Sequence, residues 1–221
     1  MFLTKRLRKV NLHLGTFKIV LDVLNPRVDK CAEIFSNKTM LEVRFHGRGG
    51  QGAVTSAELV ALAAIDKGKY AQSMPSFGPE RRGAPVQAYL RVSDKEIRLR
   101  TEIVNPDVVV VLDGGLLEVL DVSAGLKEGG LIIINTVKPV AELRKEFGFK
   151  CKLATVDANK IAREVLGVPI TNTTMIGGLL KVTGILEPEA LKAPIEHRFN
   201  AKIASKNIKA MIEAYKLTVV E

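Results

Sequence analysis

The chain has 221 residues, 47% hydrophobic and only 5% aromatic, with Lys+Arg 33 against Asp+Glu 24. That is apolar material for one full core of ordinary domain size, and no run approaches the roughly 18 apolar residues of a membrane span. Cys31 and Cys151 are the whole thiol complement and form no CxxC pair, which argues against an iron-sulfur cluster or a thiolate metal site held by this chain alone.

The formal charge of +9 is unevenly spread, because residues 1–39 hold eight Lys/Arg and three Asp/Glu and so carry +5 of it. The rest is close to neutral for its size. With three Tyr and no Trp there is no aromatic platform for single-stranded nucleic acid, so nucleic-acid binding is not expected. The basic start Met1 to Lys9 is followed by His13, Gly15, Lys18 and Asp22 rather than by a signal-peptide core, so a cytoplasmic protein is expected, with no membrane association. Residues 1–39 read as an N-terminal extension, either a basic lead-in or sequence preceding a start at Met40, and residues 40–221 as the domain.

From Met40 the pattern is regular. Leu41 to His46 alternates as a strand, Gly47-Arg48-Gly49-Gly50-Gln51-Gly52 follows, and Ala53 to Ile65 reads as a helix with almost no polar face, stopped by Gly68. Such a helix needs cover on nearly every side. Gln72 to Pro85 is too rich in Gly and Pro for a regular element, and Val86–Val92 with Glu96–Arg100 reads as a hairpin turning at Ser93-Asp94-Lys95. Asp107 to Asp113, with four consecutive valines, predicts a central strand covered on both faces. A helix at Leu116–Asp121, a strand at Leu131–Asn135, a strand at Lys152–Val156, a helix from about Ala158 to Leu166 and a mainly helical stretch from Asn172 to Tyr215 complete the order. Strand, crossover and strand in succession predict an α/β fold: a three-layer Rossmann-like sandwich with a mostly parallel mixed sheet and a helical C-terminal section.

The glycine segment matches GxGxxG between a strand and a helix, the context that gives the motif meaning. Backbone without side chains at Gly47, Gly49 and Gly52 can turn tightly and offer amides to a phosphate at the helix start; the alternative is a turn that only permits close packing. The acid that would hold a dinucleotide's ribose is missing from Tyr70-Ala71-Gln72-Ser73-Met74, and the Lys and Ser/Thr of a Walker A loop are missing too. Arg81 and Arg82 are suited to clamping phosphate or carboxylate, or to pairing with a partner subunit, or to plain solvation. Asn135 and Asp113 end apolar strands and should converge with the glycine turn at the carboxyl edge of the sheet, Asn135 as a donor to phosphate or ribose and Asp113 as a helix cap. Thr171 to Thr174 suit a helix start. Gly177-Gly178 calls for close approach of another backbone, with Met175, Ile176, Leu179, Leu180 and Val182 as core or subunit interface. His13, His46 and His197 have no ligand-spaced partners, no nucleophile-base-acid set is present, and no catalytic or metal-ligating residue is assigned.

Val43 to Gly52, the loop Ser76-Phe77-Gly78-Pro79-Glu80-Arg81-Arg82-Gly83, Asn105-Pro106-Asp107-Val108 and Asn172 to Gly178 together resemble the gamma subunit of pyruvate and related 2-oxoacid:ferredoxin oxidoreductases, from Met40 to about Tyr215. A departure is Ala84, where many relatives have glycine. The resemblance implies a non-catalytic share of an enzyme that turns a 2-oxo acid, coenzyme A and oxidised ferredoxin into acyl-CoA, carbon dioxide and reduced ferredoxin. It implies partner alpha and beta subunits holding thiamine diphosphate and a delta subunit with [4Fe-4S] clusters, none of these cofactors being firmly held by this chain, and contact with ferredoxin through the complex. Gly47, Gly49, Gly50, Gln51, Gly52, Arg81, Arg82 and Asn135 are then the expected coenzyme A contacts. Pyruvate is the first expectation for the acid and branched-chain acids the second; a stand-alone dinucleotide-binding oxidoreductase of Rossmann type is the competing reading.

Overall fold

A computed structural model describes residues 32–35, 38–76 and 82–221. Its strands are β1 Met40–Arg48, β2 Tyr70–Pro75, β3 Pro85–Ser93, β4 Val108–Val111, β5 Leu131–Asn135, β6 Lys152–Val156 and β7 Val219–Val220, joined in one sheet of order β2-β3-β1-β4-β5-β6-β7. The run β1-β4-β5-β6 is parallel, while β3 pairs antiparallel with both β1 and β2, and β7 antiparallel with β6. The helices are α1 Ala53–Asp66, α2 Val140–Phe147, α3 Ala158–Leu166, α4 Asn172–Thr183, α5 Lys192–Arg198 and α6 Ala201–Leu217, with 3-10 turns at Gly114–Glu118 and Pro188–Leu191.

The valine run of β4 shows why the sheet is covered twice. Successive side chains point to opposite faces, so Val108 and Val110 enter the larger core with α1, α4 and α6, whereas Val109 and Val111 enter a smaller one with α2 and the 114–118 turn. Leu131 and Ile133 divide from Ile132 and Ile134 in the same way. Helix α2, which composition did not disclose, buries Val140 and Leu143, three residues apart, in the smaller core, and its Phe147 packs against the same cluster. Helix α1 is covered except along its outer edge, where Leu62 and Ile65 are half exposed, so the expectation of almost complete cover is too strong.

Gly177 makes the closest packing. A side-chain carbon there would stand 2.0 Å from Met211 O and 2.9 Å from Tyr215 N, so α4 and α6 touch through backbone. Met175, Ile176, Leu179, Leu180 and Val182 are all buried in this chain, which settles them as core rather than subunit interface.

At the amino edge of the parallel strands, the Asp107 carboxylate accepts the Glu42 N–H at 2.8 Å and pairs with Lys127 at 3.2 Å; Lys127 and Arg91 both pair with Glu42, at 2.8 and 2.9 Å. This gives the Asn-Pro-Asp-Val segment a structural job: it stitches the start of β4 to β1.

Three expectations are corrected. The antiparallel partner of β3 is β2, not Glu96–Arg100, which forms no strand; both edges of β3 are taken by β1 and β2, so 96–100 has nothing to pair with. Residues 72–75, expected to be irregular, belong to that edge strand, where Pro75 is tolerated at the end. The helix expected at Leu116–Asp121 is a shorter 3-10 turn, Gly114–Glu118, set by its Asp113 cap. Among the described residues no helix is long and apolar enough to cross a membrane, and no group of His, Cys, Asp and Glu is placed to hold a metal ion.

Candidate functional site

The carboxyl ends of the parallel strands bring the glycine turn, Asp113 and Asn135 together. Gln51 organises the turn: its Oε1 accepts the Arg48 N–H at 2.7 Å, its Nε2 donates to Asp113 Oδ2 at 2.9 Å, and its backbone N–H returns to Arg48 O. Arg48 Nε reaches the same Asp113 oxygen at 3.0 Å. Burial opposes the charged form of Asp113, but the bonds from Gln51, the Gly115 amide and Arg48 outweigh it and hold its carboxyl below the ordinary value. Asp113 caps the turn at 114–118 through Gly115 N at 2.9 Å, as the sequence indicated, and also anchors the glycine turn, which it did not.

The far side of the turn is tied to the end of the arginine loop. Gly49 N–H donates to Ala84 O at 2.8 Å and Gly83 N–H donates to Gly49 O at 3.2 Å. Arg82, next in chain, is exposed; Glu80 and Arg81 lie outside the described residues. With the amides of Gly49 and Gln51 spent inside the fold, those of Gly50 and Gly52 have no acceptor among the described residues. Gly52 has φ +81°, a left-handed conformation that glycine adopts without strain, and it opens α1 with no side-chain cap. The N–H groups of a first helical turn lack intrahelical acceptors and sit at the positive end of the macrodipole, so this turn is suited to an anion.

Asn135 plays a different part from the one expected. It is 3% exposed, its Nδ2 donates to Leu112 O at 2.8 Å and its Oδ1 accepts from Ala158 N at 3.0 Å. Both ends of the carboxamide are committed to joining β4, β5 and α3, so Asn135 bridges elements beneath the site instead of facing a ligand.

Two features escaped the sequence. His46, 2% exposed, accepts from Arg44 Nε through Nε2 at 3.0 Å, while Arg44 also donates to Val122 O and Ala124 O. Burial, and secondarily the Arg44 charge, pushes the His46 imidazole down to about 4, so it stands neutral at pH 7, with its proton on Nδ1. The second is Asn172, read as part of a helix start, whose side chain lies directly against Gly52. A signal for each was present, the alternation Arg44/His46 on one sheet face and the position of Asn172 at a helix start, but neither names its neighbour across the fold. The Cys151 thiol is pushed up by burial, which disfavours the reactive thiolate, and Cys31 lies outside the described residues.

A groove of about 460 Å³ continues the same rim, lined among others by Thr136, Val137, Asp157, Lys160 and Leu217. Within the glycine turn Gly50 is exposed, while Gly47 is buried and its other residues are half-buried.

The model of the pyruvate ferredoxin/flavodoxin oxidoreductase family matches residues 42–217. The pyruvate/ketoisovalerate oxidoreductases common subunit gamma of Thermococcus litoralis is 54% identical over 182 residues, 82% of this chain and 98% of that one. The crystal structure of pyruvate oxidoreductase subunit PORC from Thermotoga maritima superposes with a TM-score of 0.75 at 39% identity, over 83% of this chain and 99% of that one. A 2-oxoglutarate:ferredoxin oxidoreductase from Magnetococcus marinus, solved with 2-oxoglutarate, coenzyme A and succinyl-CoA bound, shares the fold at 20% identity and a TM-score of 0.67, over 81% of this chain and 31% of that one. Matched across nearly all of its described residues and more than half identical to a gamma subunit, the chain belongs to the pyruvate ferredoxin/flavodoxin oxidoreductase family.

Proposed function

We propose that this chain works as the gamma subunit of a multisubunit 2-oxoacid:ferredoxin oxidoreductase, contributing assembly and part of the coenzyme A site while partner subunits carry out the chemistry. The observation that carries the reading is 54% identity with a gamma subunit over 98% of that relative's length. That relative is named as common to a pyruvate and a ketoisovalerate enzyme. A subunit shared by two enzymes cannot be what tells their acids apart, so selection falls to other subunits. Pyruvate is the preferred acid and a branched-chain 2-oxo acid the second.

In this reading alpha and beta subunits hold thiamine diphosphate, a delta subunit holds iron-sulfur clusters, and electrons leave to ferredoxin. The glycine turn offers the amides of Gly50 and Gly52 and the start of α1 to phosphate oxygens, and Arg82 stands at the end of a loop bonded to that turn. Holding the nucleotide end of coenzyme A here leaves its thiol to reach the acyl group on a partner subunit, a positioning role that needs no base. The stand-alone dinucleotide reading fares worse. In a Rossmann site the second strand lies parallel beside the first and ends in a ribose-binding acid. Here β2 is an antiparallel edge strand without a carboxylate, and the neighbours of β1 are β3 and β4.

The test is steady-state kinetics on complexes shown intact by size-exclusion chromatography. Losing one charge-assisted hydrogen bond is worth about 1.5–3 kcal/mol, so Arg82→Ala should raise the KM for coenzyme A about tenfold or more and leave that for the 2-oxo acid nearly unchanged. Gly50→Val, at φ +92° with open space around it, should act in the same direction by straining and covering the turn. An unaltered coenzyme A response in both would remove the ligand-binding half of the proposal.

A further inference from the structure

The excess positive charge of the domain sits on two helices. Residues 40–221 have 25 Lys/Arg against 21 Asp/Glu, and α5 and α6 hold all of the difference: residues 192–217 have six Lys/Arg against two Glu, while the remainder of 40–221 has nineteen of each. Along α6, Lys202, Lys206, Lys209 and Lys216 recur at steps of four, three and seven residues and so fall within an arc of about 80°. All four are exposed, and the buried residues Ala204, Asn207, Met211 and Ala214 lie on the other side of the helix. Lys192 of α5 extends this face across a groove of about 500 Å³ lined also by Glu196, Ala201, Ser205 and Ile208.

The helix itself gains nothing from this arrangement. Lys202 stands in its first turn, where the macrodipole is positive and no acidic residue offsets it, and Lys206 has a like charge four residues before it and another three after it. Lys192, Arg198, Lys202, Lys206 and Lys209 form no ion pair among the described residues, and Lys216 pairs with Glu213 at 4.0 Å. Of the exposed large apolar residues, Ile203 and Leu217 belong to these helices, and both fall outside the lysine arc. A permanent subunit interface has an apolar centre poor in lysine. A face of exposed lysines without such a centre suits a partner that arrives by charge and leaves again.

We infer that the α5–α6 face is a docking surface for a soluble electron-carrier protein with an acidic face, the ferredoxin that the assembled enzyme reduces. This rests on the reading of the chain as a gamma subunit of a ferredoxin-reducing complex. Oxidative decarboxylation of a 2-oxo acid releases two electrons, and both must leave on a carrier that dissociates, which favours rapid, charge-steered encounter over a tight fit. The electrons pass from clusters in a partner subunit. This chain supplies the positive field that raises the carrier's rate of encounter and holds it beside the complex.

Reversing the charge tests this in the reconstituted complex, with Lys202→Glu, Lys206→Glu and Lys209→Glu combined and assembly checked by size-exclusion chromatography. The KM for ferredoxin at low ionic strength should rise on the order of tenfold or more, and its dependence on salt should flatten or reverse, because steering by opposite charge is lost. Reduction of methyl viologen, a small acceptor that needs no protein docking face, should stay within about twofold, as should the KM values for coenzyme A and the 2-oxo acid. Should the triple variant fail to assemble, Lys202→Gln, Lys206→Gln and Lys209→Gln remove the charge without reversing it and should give a smaller rise. An unchanged ferredoxin KM with its salt dependence intact overturns the inference and leaves the gamma-subunit reading standing. An equal loss of rate with ferredoxin and with viologen also overturns it, since that marks a structural role. Equal turnover with the chain omitted altogether removes the gamma-subunit reading itself.

Discussion

At the scale of single residues, the most testable consequence is the neutral state of His46. Its folded pKa of about 4 lies below the ordinary value of 6.5, so the unfolded chain binds the proton more readily. The stability it contributes is fully present above pH 6.5 and is lost as pH falls towards 4, a loss on the order of 3 kcal/mol for a shift of this size. His46→Gln keeps an acceptor for Arg44 Nε and does not titrate, so urea unfolding of the variant should lack that part of the acid destabilisation; equal pH slopes in both proteins would rule out the buried neutral histidine. Residues show where sequence reading stops. Gly47 to Gly52 announce themselves by spacing and place. Asn135 and Asn172 are chemically identical amides at strand and helix ends, and only the folded chain reveals that the first is bonded at both ends while the second has an unpaired oxygen.

At the scale of elements, the contact between α4 and α6 makes a clear prediction. Judged by helix propensity alone, Gly177→Ala should stabilise by about 1 kcal/mol. Because the added carbon would meet the Met211 carbonyl at 2.0 Å, the helices must separate, and overpacking of this kind typically costs about 1–3 kcal/mol, occasionally more. The clash is with backbone, which cannot swing aside, so a net loss of about 2 kcal/mol in denaturant unfolding is expected; a stabilised variant would contradict the close approach. The elements legible in advance were those whose identity is local. Strands β4, β5 and β6 are apolar on both faces, and α3 has a strong apolar stripe between its Asp157 cap and Gly167. What was misread is pairing. Glu96 to Arg100 alternates as a strand would, and β2 ends in Pro75 and runs into a glycine-proline loop, so nothing local says that β3 takes β2 and β1 as its neighbours. Register across a sheet is decided by all the strands competing for an edge.

At the scale of the whole molecule, the described fold sets its anion-suited turn at the carboxyl edge of the parallel strands, with Gly50 and Arg82 exposed and a groove lined by Thr136 and Asp157 along the same edge. Exposed groups along that edge are available to other subunits, as the proposed role of a gamma subunit requires. The composition pointed the same way, since a chain with two cysteines has no thiolate set for a cluster. The most direct measurement is ferredoxin reduction by the reconstituted partner subunits, with and without this chain, at saturating pyruvate and then ketoisovalerate, titrating coenzyme A in each case. The account predicts that coenzyme A-dependent turnover with either acid requires the chain. Equal turnover and an equal coenzyme A response in its absence would contradict it.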